Sequence, residues 1–255
     1  MSPQPQGVFH ELVSQAEALL SAFEQTYREP EPAAIAGPAL AAMIDHTILK
    51  PEATPADVAA LCHEASAHGF ASVCVNACHV AQCARLLAAA GPAVCAVVGF
   101  PLGATLTEAK AYEADLASAE GATEIDMVIN VGMLKGGEYA FVHDDIAAVA
   151  DVCHGSGAIL KVIIEAVLLS DVEKALACAL IVRAGADFAK TSTGFSTGGA
   201  TARDVALMRA AVGPELGVKA AGGIRTYEAA ALMVAAGATR IGASSSIKIV
   251  QGAPA

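Results

Sequence analysis

The sequence predicts an α/β protein whose eight parallel strands close into a (β/α)8 barrel, the TIM-barrel fold. The chain has 255 residues, close to the roughly 250 that one such barrel contains. Short apolar segments typical of strands alternate with Ala- and Leu-rich segments typical of helices, and this repeated order implies parallel strands. Eight units of this kind favour a closed barrel, although an open doubly wound sheet has the same order of elements.

The predicted elements follow one another between residues 41 and 243. Strands are predicted at residues 41–45, 71–75, 94–98, 124–129, 159–165, 187–192, 217–221 and 240–243. The clearest helices between them span residues 55–68, 106–120, 171–184 and 226–236. Several of these helices open with Thr or Ser and close with Gly, which are common helix boundaries.

Residues 1–38 differ from the rest of the chain. Prolines bracket a segment in which apolar residues recur at helical spacing, at Val8, Leu12, Ala16, Leu19 and Phe23. We therefore predict an N-terminal extension at 1–38, formed by one amphipathic helix, and a barrel at 39–255. Because the segment carries no recognisable motif, packing on the barrel or on a neighbouring subunit is favoured over a specific partner-binding role.

Composition narrows the class of partner. The formal net charge of -11 and the pI near 5.0 oppose docking on nucleic acid or anionic lipid, so a small phosphorylated metabolite is the better partner. Hydrophobic residues make up 55% of the chain, but polar residues interrupt every apolar run well before the roughly 20 residues of a membrane helix. The seven cysteines lack the spacing of a disulfide scaffold, and no signal peptide is evident. We expect a soluble, cytoplasmic protein.

Two lysines lie where a charge is unfavourable. Lys190 and Lys219 each sit in a short strand-like stretch with a glycine-rich turn after it. Because an amine attacks a carbonyl only when unprotonated, a lysine with a pKa of about 10.4 needs that pKa lowered by roughly 3 units to react at neutral pH. A second ammonium about 5 Å away supplies roughly 3 kcal/mol of repulsion at an effective dielectric of about 20. The pair predicts a Schiff-base lysine with a cationic neighbour.

Further charged residues interrupt the predicted strands. Asp45 is expected to end the first strand, Asp126 to point into the barrel from the fourth, and Lys161 and Glu165 to share a face of the fifth. Together with the two lysines above, they should converge near the carboxyl ends of the strands, where barrel enzymes place catalytic groups. The alternative is a buried ion-pair network that holds the barrel closed, although stability alone rarely requires so many strand charges.

A second constellation predicts a phosphate site. Gly222 and Gly223 follow the seventh strand, and residues 242–246 follow the eighth strand just ahead of a short helix that begins near Ile247. Glycines permit close approach of backbone amides, serines donate hydroxyl hydrogen bonds, and barrels of this type commonly bind phosphate here. Gly194 could add another amide. Ordinary turns and a helix cap are the alternative interpretation of each piece alone.

From about Leu40 to Ile249 the chain resembles the deoxyribose-phosphate aldolases, a family of class I aldolases built on the (β/α)8 barrel. The pieces that carry the resemblance are residues 44–49, 124–130, 160–165, 188–195, 218–225 and 241–245. The resemblance implies an aldehyde-lyase that reversibly cleaves 2-deoxy-D-ribose 5-phosphate to D-glyceraldehyde 3-phosphate and acetaldehyde. It implies no metal, no organic cofactor, and a homodimer or homotetramer.

The resemblance also implies roles for individual residues. Lys190 would form the Schiff base, Lys219 would depress its pKa, and Asp126 with Lys219 would pass protons through water. The phosphate-site positions are Gly194, Gly222, Gly223, Ser244 and Ser245. The positions that line the substrate pocket are Asp45, Thr47, Lys161 and Thr193. Some family members carry a C-terminal tail with a terminal tyrosine; this sequence ends at Ala255 without one, so we expect any proton transfer by that tail to be absent or replaced by water.

Three alternatives remain at this level. A different phosphosugar aldolase or an isomerase would share the phosphate site, but the lysine pair argues against the isomerase. A non-catalytic phosphosugar-binding protein would bind the sugar without converting it. A local zinc site at Cys74, Cys78, His79 and Cys83 is disfavoured, because Cys74 belongs to a strand and Cys83 to the following helix. Cys74 could instead form an adduct with aldehyde products, and His46 is either a pocket residue or a packed, hydrogen-bonded histidine.

Overall fold

Eight parallel strands form a closed barrel in the computed structural model, which describes residues 6–89 and 91–254. Each strand pairs with the next along the chain, and β8 pairs with β1. The strands are β1 Ile44–Ile48, β2 Ser72–Val75, β3 Ala93–Val98, β4 Glu124–Val128, β5 Ile159–Ile163, β6 Phe188–Lys190, β7 Gly217–Ala221 and β8 Arg240–Ala243. The predicted fold class is confirmed, and the open doubly wound sheet is excluded.

Helices surround the barrel. They are α1 Gln6–Thr26, α2 Gly37–Ala41, α3 Pro55–His68, α4 Val80–Leu87, α5 Thr107–Ala119, α6 Val131–Lys135, α7 Tyr139–Gly155, α8 Asp171–Arg183, α9 Ala202–Val212, α10 Tyr227–Ala235 and α11 Ser246–Gln251, with short 3-10 helices at Ala77–His79 and Ala166–Leu168. From α3 onward at least one α-helix follows every strand, which is the repeat expected of a (β/α)8 barrel. No helix within the described ranges is long and apolar enough to cross a membrane.

Local sequence signals fix several helix boundaries. The Thr54 hydroxyl accepts a hydrogen bond from the Asp57 amide, while the Asp57 carboxylate accepts from the Thr54 amide, which forms a capping box at the start of α3. Gly69 ends this helix in the left-handed conformation at φ 67°. A capping box of this kind contributes about 1 kcal/mol. The predicted helix at residues 55–68 therefore agrees with the structure.

The first strand was predicted at the wrong place. Residues 37–41 form helix α2, with Pro38 in its first turn, and the strand begins only at Ile44. An alanine-rich stretch after proline favours a helix as readily as a buried strand, so composition did not separate the two. Asp45 consequently lies near the start of β1 and does not end it. Its side chain is buried in the barrel interior, not at the mouth.

The fifth strand is shorter than predicted. It ends at Ile163, and Glu165 adopts a left-handed backbone conformation with φ 52° just before a 3-10 turn. The Ile164 and Ala166 amides still donate to the Lys190 and Thr191 carbonyls, so the chain follows β6 while it bends. The prediction that Lys161 and Glu165 share a strand face is therefore wrong.

Helix α1 lies outside the barrel against α8 and α9, with a smaller contact to α7. Ala16 and Phe23 are buried, Leu12 and Leu19 pack half-buried against the core, and the Val8 side chain lies outside the described residues. The Arg203 guanidinium of α9 stands 5.7 Å from the centre of the Phe23 ring. The division into an extension at 1–38 and a barrel at 39–255 stays a prediction.

Candidate active site

Every strand places a polar or sulfur-bearing side chain inside the barrel. Cys74 of β2 and Cys95 of β3 contribute thiols, and the other strands contribute charges. We call the charged set the interior charge cluster; its members are Asp45 of β1, Glu124 and Asp126 of β4, Lys161 of β5, Lys190 of β6, Lys219 of β7 and Arg240 of β8. Apolar residues normally fill a barrel interior, so this cluster is the feature that most needs a functional explanation.

Asp126 lies at the centre of the cluster. Its Oδ1 accepts a hydrogen bond from Lys161 Nζ at 2.8 Å, and its Oδ2 accepts from Lys190 Nζ at 2.7 Å and from Lys219 Nζ at 2.6 Å. The Cys95 thiol donates to Oδ1 at 3.1 Å. Burial raises the pKa of Asp126, but the three ammonium groups lower it more, and the net pKa lies well below the usual value. Asp126 is therefore a carboxylate at neutral pH.

Lys161 and Lys219 have further carboxylate partners. Lys161 Nζ lies 2.6 Å from Glu124 Oε2 and 3.8 Å from Asp45 Oδ2, and Lys219 Nζ pairs with Asp45 Oδ2. Burial lowers the pKa of each lysine, yet the carboxylates, with Asp126 the largest contributor, raise both pKa values above the usual range. Both lysines are therefore positively charged at neutral pH when no ligand is bound. Lys190, in contrast, forms an ion pair with Asp126 alone among the described residues.

The structure brings together five of the six predicted charged residues. Glu165 is outside the cluster; its carboxylate accepts a 2.5 Å hydrogen bond from the Thr193 hydroxyl. Glu124 and Arg240 were missed by the sequence analysis. The sequence contains only weak indications that they belong to the site. Glu124 precedes Asp126 by two residues and so shares its strand face, and Arg240 is the first residue of the last strand.

A cavity of about 730 Å3 opens at the carboxyl ends of the strands. Its volume suits a small metabolite. The predicted site residues that line it are Thr47, Lys190, Thr193, Gly194, Gly222, Gly223 and Ser244. Lys190 is thus the member of the interior charge cluster that reaches the cavity, with 3% of its surface exposed.

Other predicted site residues do not line this cavity. Asp45, Asp126, Lys161 and Lys219 are fully buried beneath it. The expectation that Asp45 and Lys161 line the pocket is therefore not what the structure shows. Ser245 is half-buried just before α11 and also lies outside the cavity wall.

Three glycines shape one wall of the cavity. Gly194, Gly222 and Gly223 adopt φ values of 85°, 88° and 79°, a region that other residues rarely occupy. A Cβ on Gly222 would also stand 3.0 Å from the Gly199 Cα, so this position has no room for a side chain. The exposed Arg225 lines the same cavity and gives it a cationic rim. This wall presents backbone amides and positive charge, which suits an anion such as phosphate.

A small apolar cluster lies on the β1 to β3 side of the barrel. Leu49, Cys74, Cys95 and Val97 pack together, with Phe100 half-buried against them. Leu49 also lines the cavity, and the Phe195 ring on the cavity wall meets Phe100 edge-on at 5.3 Å between centroids. The end of the cavity near these residues therefore suits a hydrocarbon portion of a ligand better than a hydroxyl group.

His46 satisfies both predicted alternatives, because it lines the cavity and is also hydrogen-bonded. Its Nδ1 lies 2.9 Å from the Ser246 hydroxyl, and its Nε2 lies 2.8 Å from the Glu64 carboxylate. The Ser246 hydroxyl is also within 2.9 Å of the Ala243 carbonyl. Burial lowers the pKa of His46, against the opposing effect of Glu64. These contacts connect β1 and α3 to the first residue of α11.

Cys74, Cys95 and Asp126 present ligand atoms within 4.8 Å of one another, a spacing at which they could hold a metal ion. Both Asp126 oxygens already accept from ammonium groups, and a metal cation there would meet the charges of Lys161, Lys190 and Lys219. Like charges at such short range oppose binding by several kcal/mol at an effective dielectric of about 20. This donor set therefore does not suit a resident metal ion.

A buried lysine that opens onto a cavity, with a carboxylate shared between it and a second ammonium, is the arrangement of an aldolase that works through an imine of its own lysine. The fold and the site thus define the class, a barrel aldolase. The particular family follows from the sequence: the model of the DeoC/LacD family aldolases matches residues 39–252, and the chain belongs to that family.

Individual relatives agree with this assignment. The chain is 58% identical over 213 residues to deoxyribose-phosphate aldolase 1 of Bacillus licheniformis, which covers 84% of this chain and 95% of the relative. The identity to the deoxyribose-phosphate aldolase of a Geobacillus strain is also 58%, with the same coverage. The tetrameric deoxyribose phosphate aldolase of Aeropyrum pernix has a TM-score of 0.80 and 34% identity, and the match covers 95% of this chain and 96% of the other.

Proposed function

We propose that the protein is a class I aldolase that reversibly cleaves 2-deoxy-D-ribose 5-phosphate to D-glyceraldehyde 3-phosphate and acetaldehyde. The observation that carries the proposal is the position of Lys190, whose Nζ reaches the cavity and lies 2.7 Å from Asp126. The names of the curated relatives support this substrate. The isomerase alternative does not require a lysine that forms an imine. The binding-protein alternative does not require a buried network of lysines and carboxylates. Both features therefore favour the aldolase.

The cavity suggests how the sugar phosphate binds. The phosphate would lie at Gly194, Gly222, Gly223 and Ser244, where amides and a hydroxyl would donate and Arg225 adds positive charge. Ser245 follows Ser244 and could reach the same phosphate only through its backbone amide or a small movement of its side chain. The open-chain sugar would extend from there to Lys190, with its aldehyde carbon at Nζ. Thr47 and Thr193 line the same cavity. Their hydroxyls already donate to the Asp45 carbonyl and the Glu165 carboxylate, so they would accept hydrogen bonds from the sugar hydroxyls. Asp45 and Lys161, which are fully buried, would support the site from below.

The reaction begins when neutral Lys190 attacks C1 of the open-chain aldehyde. The resulting carbinolamine takes up a proton at its hydroxyl group and loses water, which leaves a protonated imine. A base removes the proton of the C3 hydroxyl, the C2–C3 bond breaks, and its electron pair enters the imine to give an enamine. Glyceraldehyde 3-phosphate then departs. Protonation of the enamine at C2 and hydrolysis of the imine by water release acetaldehyde and regenerate the amine.

The neighbouring residues move and hold the protons. Asp126 lies at hydrogen-bond distance from Lys190 Nζ, so it can stabilise the imine in its protonated form and, with Lys219, relay protons through water to C2 and the C3 oxygen. Before the sugar binds, Lys219 is positively charged, and this charge opposes a second positive charge on Lys190. The apolar residues Leu49 and Val97 suit the two-carbon fragment, which carries no hydroxyl at C2.

Trapping of the imine tests the proposal. The protein is incubated with acetaldehyde and reduced with borohydride, and the added ethyl group is located by peptide mass spectrometry. We expect the label on Lys190, its absence in Lys190→Ala, and its persistence in a control variant at an exposed lysine, Lys135→Ala. An unlabelled Lys190 in the wild-type protein would reject the imine mechanism and favour an isomerase or a binding protein.

We also propose that the protein is a homo-oligomer. The Aeropyrum pernix relative is tetrameric, and this chain exposes apolar side chains at Leu102, Leu106, Tyr112 and Leu116, on α5 and the loop before it. Exposed apolar groups of this kind are common at subunit interfaces. Light scattering after size-exclusion chromatography would show a dimer or tetramer, and a concentration-independent monomer would contradict the proposal.

A cytoplasmic location is the last part of the proposal. All seven cysteines lie in the described ranges and none of them forms a disulfide, which suits a reducing compartment. The net charge of -11 supports a small-molecule partner over nucleic acid. Fractionation of the source cells with an antibody against the protein would test the location.

A further inference from the structure

The interior charge cluster extends well beyond the residues that the proposed reaction uses. Glu124 and Arg240 are the first residues of β4 and β8, at the end of the barrel opposite the cavity. The Arg240 guanidinium joins them: it lies 2.6 Å from Asp45 Oδ1 and 3.1 Å from Glu124 Oε2. Neither residue lines the cavity, so neither contacts a ligand bound there.

Two chains of ion pairs connect these residues to Lys190. From Arg240 the chain passes through Asp45, Lys219 and Asp126. From Glu124 it passes through Lys161 and Asp126. Both chains end at the one carboxylate that pairs with Lys190. A change of charge at the far end of the barrel is therefore transmitted through low-dielectric protein, where solvent and salt screen it little.

The cluster does not carry equal numbers of opposite charges. Lys161, Lys190, Lys219 and Arg240 are four potential cations, and Asp45, Glu124 and Asp126 are three anions. Full ionisation leaves a net charge of +1, and the loss of one proton makes the cluster neutral. Two or more carboxylates hold each of Lys161, Lys219 and Arg240, whereas Lys190 has Asp126 alone. Lys190 is therefore the cation of the cluster that the carboxylates neutralise least.

The two thiols complete the set of titratable groups that face Lys190 from the remaining strands. Burial raises the pKa of Cys95 well above its usual value. Its contact with Cys95 lowers the pKa of Cys74, and burial opposes this effect. The count of +1 applies with both thiols protonated. Variants elsewhere in the cluster leave the thiols unchanged, so comparisons between such variants isolate the effect of the altered charge.

We propose that Glu124 and Arg240 are positioning residues that set the reactivity of Lys190 by fixing the net charge of the interior charge cluster. The proposal rests on the proposed imine chemistry of Lys190. A purely structural role is the competing explanation, since both residues also join strands across the barrel. The two explanations differ in sign: Glu124→Gln raises the net charge to +2, and Arg240→Met lowers it to zero. Electrostatic control therefore requires opposite effects, whereas a structural role gives damage in the same direction.

The experiment measures the initial rate of acetaldehyde labelling at Lys190 by borohydride trapping as a function of pH. At a separation of about 10 Å and an effective dielectric of about 20, one charge moves the pH of half-maximal labelling by about one unit. We expect this midpoint to fall by about one unit in Glu124→Gln and to rise by about one unit in Arg240→Met. The double variant, with two anions and three cations, should return to the wild-type midpoint.

Charge-conserving variants are the matched controls. Glu124→Asp and Arg240→Lys alter the geometry but keep the charge, so their midpoints should equal that of the wild type. Circular dichroism shows whether each variant folds. If either Glu124→Gln or Arg240→Met does not fold, the other variant and its charge-conserving control still show whether the midpoint follows the charge. Midpoints that move together, or that stay fixed while Lys190 is still labelled, would overturn the inference. Absence of labelling in the wild type would instead overturn the proposed function.

Discussion

Lys190 and Lys219 donate hydrogen bonds to the same atom, Asp126 Oδ2, at 2.7 and 2.6 Å. One carboxylate charge is thereby shared between two ammonium groups. Lys219 has a second anionic partner in Asp45, and Lys190 has no other among the described residues. Of the two lysines, Lys190 therefore has fewer counter-charges, and it is also the one that lines the cavity.

Lys219→Met removes the neighbouring cation and is expected to make Lys190 hold its proton more tightly. With a separation of about 5 Å and an effective dielectric of about 20, the lost repulsion is roughly 3 kcal/mol, equivalent to about 2 pH units. The pH of half-maximal acetaldehyde labelling should therefore rise by that amount. The surface variant Lys135→Met serves as the control. An unchanged midpoint in Lys219→Met would refute the electrostatic role of Lys219.

Asp126→Asn tests the proton relay. The amide keeps the shape of the side chain but cannot accept a proton, so turnover should fall by about 100- to 10,000-fold while the KM for the sugar phosphate changes much less. The change also leaves three buried cations with fewer counter-charges, and a loss of about 3–5 kcal/mol in the free energy of unfolding is expected. Activity is therefore measured below the melting temperature of the variant. Near-normal turnover would remove Asp126 from the mechanism, and Asp115→Asn, an exposed carboxylate on α5, gives the control.

The sequence was sufficient to predict that Lys190, Lys219 and Asp126 lie together inside the barrel. Lys190, Lys219 and Asp126 each lie in an apolar strand where a charge is unusual, so each is conspicuous without any structure. Glu124 and Arg240 were not conspicuous, because charged residues are ordinary at the first position of a strand. Only the closure of the barrel, which places β8 beside β1 and brings β4 within reach across the interior, shows that they belong to the same network.

The errors at β1 and β5 have local causes. The strand predicted at residues 41–45 begins only at Ile44, because proline and alanine favour a helical turn at residues 37–41 and this helix includes Ala41. Glu165 leaves the strand because its backbone adopts φ 52°. Glutamate rarely adopts this conformation, so the residue type gave no reason to predict it. Its contact with Thr193 of the neighbouring loop shows that tertiary structure stabilises this conformation.

Gly223→Ala tests the glycine wall of the cavity. No atom lies within 4 Å of the Cβ that would be added, so the expected effects are backbone strain at φ 79° and a methyl group beside the bound phosphate. The strain destabilises the fold by about 1 kcal/mol. The KM for the sugar phosphate should rise about 10-fold if the methyl removes about 1.4 kcal/mol of binding.

Gly157→Ala is the matched control for that change. Gly157 has φ 77° and equally open surroundings, but it precedes β5 at the opposite end of the barrel. Thermal unfolding should show the same loss of stability in both variants, and steady-state kinetics should show a raised KM in Gly223→Ala alone. Equal KM values in the two variants would mean that Gly223 is an ordinary turn residue.

His46→Leu tests whether the histidine supports the phosphate wall, our name for the proposed phosphate-binding wall at Gly194, Gly222, Gly223 and Ser244. Leucine removes the contacts with Ser246 and Glu64, and Ser246 begins the helix that follows Ser244 and Ser245. Loss of hydrogen bonds of this kind, about 1 kcal/mol, should raise the KM for 2-deoxyribose 5-phosphate roughly 5-fold. Turnover of the unphosphorylated sugar should not change, because that sugar makes no use of the phosphate wall.

Ser246→Ala separates this positioning effect from general damage to the fold. If His46 acts through Ser246, the serine variant should raise the KM by a similar factor, and the double variant should raise it no further than either single variant. If instead the imidazole contacts the substrate directly, the KM of the double variant should rise by the product of the two single-variant factors. Equal losses of activity on the phosphorylated and the unphosphorylated sugar would show that His46 only stabilises the barrel. A wall that binds phosphate cannot affect a substrate that has no phosphate group.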